Sequence, residues 1–152
     1  MNKKVNLLCM VSIFSWHFVF ATCNILNIQS ANFGIINPLS GSNINTTGSF
    51  LLQCNANSGS SYSISLSAGN GTMLHRQMYS GSDFINYNLY TANDYSTVWG
   101  DGTNGSSIQS GSFASGPKNR NYIIYARIPV SDQSNIAVGT YSDNVVINII
   151  YN

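Results

Sequence analysis

Glutamate is missing altogether from this 152-residue chain, and charged residues make up only 7% of it. Without Glu, and with few Lys or Ala-rich windows, the chain is short of the residues that favour surface helices. No segment longer than a turn or two carries the 3.6-residue apolar period. Basic residues are also scarce: Lys and Arg number 6, and two of these, Lys3 and Lys4, stand at the N-terminus. Nothing resembles a basic stripe that could follow a phosphate backbone, so nucleic acid is not an expected partner. Histidine occurs twice, at His17 and His75. His75 has no Cys or His at metal-ligand spacing, and no nucleophile-elbow pattern frames any serine, so no metal, cofactor or catalytic residue is assigned. The chain does not read as an enzyme.

The stretch Val98-Trp99-Gly100-Asp101-Gly102-Thr103-Asn104-Gly105 has the look of a ligand loop. A phosphate loop needs a Lys followed by Ser or Thr, and an EF-hand needs several acidic ligands with a terminal Glu. Neither is present. Asp101-Gly102 and Asn104-Gly105 instead supply the positive φ that tight turns require.

Lys3 and Lys4 precede an apolar run from Leu7 to Phe20 that ends in Val19-Phe20-Ala21, the pattern of a secretory signal peptide over 1–21 cleaved after Ala21. The run is short for a bilayer span and is weakened by Ser12, Ser15 and His17, so no stable membrane insertion is expected. A lipid anchor on Cys23 competes with this reading, but Thr22 is not the small residue that usually precedes a lipidated cysteine. Residues 22–152 then form one domain. Arg76, Lys118, Arg120 and Arg127 face Asp83, Asp94, Asp101, Asp132 and Asp143, a net charge of −1. Cys9 leaves with the signal, and the remaining pair, Cys23 and Cys54, should be bonded in an oxidising compartment.

What the exported part does contain is Ser, Asn, Gly, Tyr and period-two alternation. In Ser61–Ser67, Tyr62, Ile64 and Leu66 face one way and the serines the other. Phe50, Leu52 and Cys54 alternate similarly, as do Ile85, Tyr87 and Leu89. Two further apolar strands are predicted over Tyr122–Ile128 and Asp143–Tyr151. In the last, Val145, Ile147, Ile149 and Tyr151 form one face and Val146 and Ile150 add apolar atoms to the other, which reads as a core strand. About seven short strands between Gly, Asn, Ser and Pro turns point to an all-β, antiparallel sandwich of the immunoglobulin type. Tyr87, Tyr90, Tyr95 and Trp99 carry aromatic faces near Asn and Asp, a composition that suits either a core or a sugar site; Trp99 is expected to pack beneath the turn beside it.

Several motifs follow one another in order: Phe33-Gly34 with Pro38 and Gly41, Ser65–Thr72, Arg76-Gln77-Met78, Tyr87-Asn88-Leu89-Tyr90, Trp99–Thr103, Arg127-Ile128-Pro129, Gly139–Asp143 and the closing apolar strand to Tyr151. Together they resemble the spore coat protein U domain, a family shared with subunits of archaic chaperone–usher pili; Ala126 stands where that family tends to have Gly. The resemblance implies an incomplete immunoglobulin-like sandwich lacking its final strand, exported through the periplasm to a cell-surface fimbrium. The implied partners are a periplasmic chaperone, an outer-membrane usher and a neighbouring pilus subunit that donates the missing strand. Val145, Ile147, Ile149 and Tyr151 are placed on one wall of the accepting groove. Family pilins usually carry a donor stretch before the first cysteine, whereas a chain cleaved after Ala21 begins Thr22-Cys23. That implies a subunit at a fibre tip or a protein outside a fibre altogether. The alternatives are a tip adhesin with a carbohydrate- or surface-binding role, and a stand-alone coat or matrix protein that completes its own sandwich with Asn24–Ser30.

Overall fold

The computed structural model describes residues 22–37, 41–56, 60–114, 116–129, 131 and 136–151. The signal segment expected over 1–21, including Ala21, lies outside the described residues, as does Asp132.

The described residues form nine strands: β1 (Thr22–Gln29), β2 (Ile44–Ala56), β3 (Ser60–Leu66), β4 (Asn70–Gly71), β5 (Arg76–Ser80), β6 (Asp83–Tyr90), β7 (Gln109–Phe113), β8 (Gly116–Ile128) and β9 (Ile147–Tyr151). No α-helix is found among the described residues. The strands form two antiparallel sheets, one in the order β1-β2-β8-β6-β5-β4 and the other β7-β3-β9. The expected all-β sandwich is therefore what the chain adopts.

Alternation explains the core. Phe50, Leu52 and Cys54 from β2, Tyr62, Ile64 and Leu66 from β3, and Ile85, Tyr87 and Leu89 from β6 are all buried between the sheets. Fully burying an aliphatic or aromatic side chain contributes about 1.5–3 kcal/mol. Cys23 lies opposite Cys54 in the β1–β2 register, and the two form a disulfide that ties the first strand to the second.

Two strands differ from their sequence-based bounds. β8 starts at Gly116 rather than Tyr122 and pairs with β2 along its whole length, from Ala56↔Gly116 to Ile44↔Ile128. Its first half, Lys118-Asn119-Arg120-Asn121, is polar and leaves no hydrophobic alternation to read, although backbone pairing does not need it. β9 is shorter than predicted and is not a core strand apolar on two covered faces. It is the edge of the three-stranded sheet, and Val146 and Ile150 are 57% and 66% exposed. Ile150 lies opposite Ser63, on the sheet's outer face, rather than against the interior.

Candidate strand-accepting cleft

Among the described residues β1 pairs with β2 alone and β9 with β3 alone, so each ends its sheet with one edge that has no named partner strand there. Between these edges lies a cleft of about 850 Å³. One side is formed by Ile28 and the segment after β1, with Ala31, Phe33 and Ile36; the other by residues 136–145 and Ile147. Leu66, Met78, Ile85, Tyr87, Leu89 and Ile124 are core side chains that line it as well, which makes its floor the sandwich interior itself. Ile35 and Val138 also line it and are fully exposed.

Of the four residues expected on the groove wall, Val145 and Ile147 line this cleft. Ile149 is half-buried and packs on the core, while Tyr151 is 39% exposed; they lie farther along β9, opposite Ile64 and Tyr62.

The segment that leads into β9 is anchored by Asp143. Its Oδ2 accepts a 2.6 Å hydrogen bond from the Tyr87 hydroxyl, and its Oδ1 accepts from the backbone N–H of Asn70 at 2.9 Å and of Asn144 at 2.7 Å. Gly69, at φ +60, approaches the carboxylate so closely that a Cβ there would collide with it. Burial, then the hydrogen bond to Asp143, pushes the Tyr87 hydroxyl well above the ordinary phenol range, so it stays a donor. Val146 is held by the Ser67 hydroxyl and backbone, with Ser67 N–H donating to Val146 O at 2.9 Å.

Beneath this end of the sandwich lies Arg76, a residue that entered the sequence reading only as part of a motif. It is fully buried. Its Nε and Nη2 donate to Ser67 O at 3.0 and 2.9 Å, Nη2 also donates to Trp99 O at 2.8 Å, and Nη1 donates to Asn88 Oδ1. Desolvation lowers its pKa, opposed by Tyr87 and Asp143. A guanidinium never loses its proton in a protein, so this charge is carried by neutral oxygens in a low-dielectric interior. It holds β5 to the end of β3 and to the loop that begins at Val98.

That loop is turn structure, as its composition implies. Gly102, Asn104 and Gly105 take φ of +86, +50 and +82. Asp101 Oδ1 is occupied by the Thr103 backbone N–H at 2.9 Å and the Thr103 hydroxyl at 2.7 Å. Trp99 is 1% exposed beneath the loop, its indole N–H donating to Ile64 O at 3.2 Å. Tyr87 is also buried, whereas Tyr90 and Tyr95 are half-buried. His75 is exposed, and among the described residues no group of three His, Cys, Asp or Glu is placed to hold a metal ion. Among those residues, no helix is long and apolar enough to cross a membrane.

Comparison with known proteins places this arrangement. The model of the Spore Coat Protein U domain matches residues 10–148. A solved structure, the CsuC–CsuE chaperone–tip adhesion subunit pre-assembly complex from the archaic chaperone–usher Csu pili of Acinetobacter baumannii, contains a chain similar to this one. The TM-score is 0.55 at 25% sequence identity, over 86% of this chain and 40% of that chain. The present chain thus spans well under half the length of that neighbour. No curated protein matches.

Proposed function

This chain belongs to the Spore Coat Protein U domain family, and on that footing we propose that it is an exported subunit of a chaperone–usher surface pilus that accepts a β-strand from another molecule. One observation carries the reading: the cleft lies between two sheet edges and opens directly onto the core. An apolar interior beside an unpaired edge is an aggregation hazard until another chain covers it. A strand laid against β9 would pair with its backbone, and alternate side chains would enter the cleft. Four or five such side chains at about 1.5–3 kcal/mol each give a gross gain of order ten kcal/mol, enough for a joint that opens slowly.

Val145 and Ile147 form the wall that the incoming strand meets first, with Ile149 and Tyr151 extending it along β9. The partners on this reading are a periplasmic chaperone, an outer-membrane usher and a neighbouring subunit, and the destination is the cell surface. A tip position is supported by the use of the first strand. Pairing with β2 begins at Thr22↔Asn55, so a chain cleaved after Ala21 has its N-terminus committed to its own sheet. The same pairing weighs against a stand-alone protein that closes its sandwich with Asn24–Ser30, because Asn24, Ile25, Leu26 and Gln29 already lie opposite β2.

The test is export of the full chain to a periplasm with and without the chaperone of a chaperone–usher system. The expected result is a soluble chaperone complex in the first case and aggregation or degradation in the second. A soluble, heat-resistant monomer without chaperone would overturn the proposal, and mass spectrometry of the exported N-terminus decides the tip position.

A further inference from the structure

Tyr90 of β6 and Tyr125 of β8 lie directly opposite each other in the sheet register. Their neighbours Leu89 and Ala126 are buried in the core. Alternation therefore sets both tyrosines on the outer face of the six-stranded sheet, away from the cleft. Tyr95, from the loop after β6, meets both edge-on, with ring centroids 5.4 Å from Tyr90 and 6.4 Å from Tyr125. Arg127, two residues beyond Tyr125 on the same face, lays its guanidinium 3.6 Å from the centroid of the Tyr95 ring. Its Nε donates to Asn45 Oδ1 at 2.9 Å. Three tyrosines and an arginine are thus fixed as one unit.

Tyr95 has a φ of +57. An aromatic residue rarely adopts this left-handed backbone, which Gly or Asn takes with much less strain. The loop enforces it: Tyr95 N–H donates to Ala92 O at 3.2 Å, Thr91 N–H to Thr97 O at 3.1 Å, and Ser96 N–H to Asp94 Oδ1 at 3.0 Å. Strain of this kind persists where the surroundings over-determine it, and it concentrates at sites that present a group for contact.

The chemistry of the patch selects its occupant. Half-buried aromatic rings offer apolar surface to the C–H face of a sugar. Asn45 and Thr47 on β2 share the outer face with Arg127 and Tyr125, their cross-strand neighbours, while Asp94 and Ser96 flank Tyr95 in its loop. Amide, hydroxyl and carboxylate groups therefore surround the rings with both donors and acceptors. One cation and one carboxylate leave the patch close to neutral, which complements a neutral polyol and gives a polyanion or polycation little to grip. A sheet face has no walls to enclose a single sugar, whereas a chain running across β6 and β8 can span the cluster from Tyr90 to Tyr125.

We propose that Tyr90, Tyr95, Tyr125 and Arg127 form a binding platform for neutral polysaccharide chains. The platform is on the opposite face from the cleft, so it holds whether or not the cleft accepts a strand.

The experiment is a pull-down of the full exported chain with insoluble cellulose and chitin, alongside alginate immobilised on beads as a polyanion. The chain is used as its soluble chaperone complex, or free where it stays soluble, and a sample spun without polysaccharide subtracts self-pelleting. Tyr95→Asn keeps a residue suited to positive φ while removing the ring, and Tyr125→Leu keeps apolar bulk without the flat face. The expected result is that the parent chain pellets with a neutral polysaccharide and that both variants bind at least about tenfold more weakly while keeping the parent's circular dichroism. A parent chain that stays in the supernatant with both neutral probes, or pellets only with alginate, overturns the proposal. So do correctly folded variants that bind within about twofold of the parent. Because binding is scored on soluble chain whether or not a chaperone is needed to keep it so, failure here is distinct from failure of the pilus reading.

Discussion

The Tyr87 hydroxyl donates a 2.6 Å hydrogen bond to Asp143 Oδ2, joining the buried face of β6 to the segment that enters the edge strand β9. The two residues are 56 positions apart in sequence and both line the cleft. The contact therefore braces the cleft where its wall is not yet part of a strand.

Tyr87→Phe removes the donor but keeps the ring. Asp143 retains its two backbone donors, so the variant should fold and lose about 1–2 kcal/mol, read from the midpoint of urea unfolding. Faster hydrogen exchange at Asn144 and Val146 should accompany the loss. Unchanged exchange there would show that the bond does not brace the cleft wall.

Arg76 is the larger risk. Arg76→Met deprives Ser67 O and Trp99 O of their side-chain donor in a dry interior and leaves Asn88 Oδ1 with the Leu89 N–H alone, with an expected cost of about 3–5 kcal/mol. Arg76→Lys should recover only part of this, because a single ammonium cannot reproduce the fork that reaches three acceptors. Thermal melting of the two variants beside the parent makes the comparison, and equal melting of Lys and Arg forms would refute the account.

Val145→Asp puts a carboxylate on the cleft wall, just before β9 and outside it. An unpaired charge in a cleft also lined by Leu66 and Ile124 would disfavour any apolar strand entering there. Yield of the chaperone complex should fall by at least about tenfold, equivalent to about 1.4 kcal/mol, while the Cys23–Cys54 bond still forms. Undiminished complex formation would move the accepting site elsewhere.

Asp101 gives a prediction about pH. Hydrogen bonds from the Thr103 hydroxyl and backbone hold its carboxyl below the usual carboxylate range. A pKa lower in the folded state means that the ionised form favours the folded loop. That contribution is complete above the unfolded-state pKa and disappears as pH falls through the lower, folded value. NMR titration should show the Thr103 amide signal moving at a lower pH than an unbonded aspartate would cause, and Thr103→Val should bring the Asp101 titration back toward the ordinary range.

Part of the candidate site was legible before any fold was known. Val145 and Ile147 stood out because they alternate at the end of the chain, and both line the cleft. The opposite side, from Ile28 through Ile36, had no such signal, since Ala31, Phe33 and Ile36 lie in a segment without regular spacing. Arg76 gave no hint of burial, because a cation's burial depends on acceptors at Ser67, Asn88 and Trp99 that only the folded chain gathers. The strain at Tyr95 was equally silent, being imposed by hydrogen bonds across residues 91–97.

Composition and period-two alternation were enough to determine that this chain forms strands and which residues of β2, β3 and β6 face inward. These are local properties: side chains on a strand point alternately to opposite faces whatever the strand lies beside. Which strands are central and which are edges was decided only by the tertiary structure. Val146 and Ile150 look like core residues in the sequence and are exposed in the fold, because among the described residues no layer covers the outer face of the three-stranded sheet. Backbone pairing uses the same N–H and C=O at every residue, so the order of strands, and with it the cleft between β1 and β9, leaves no mark on any single stretch of sequence.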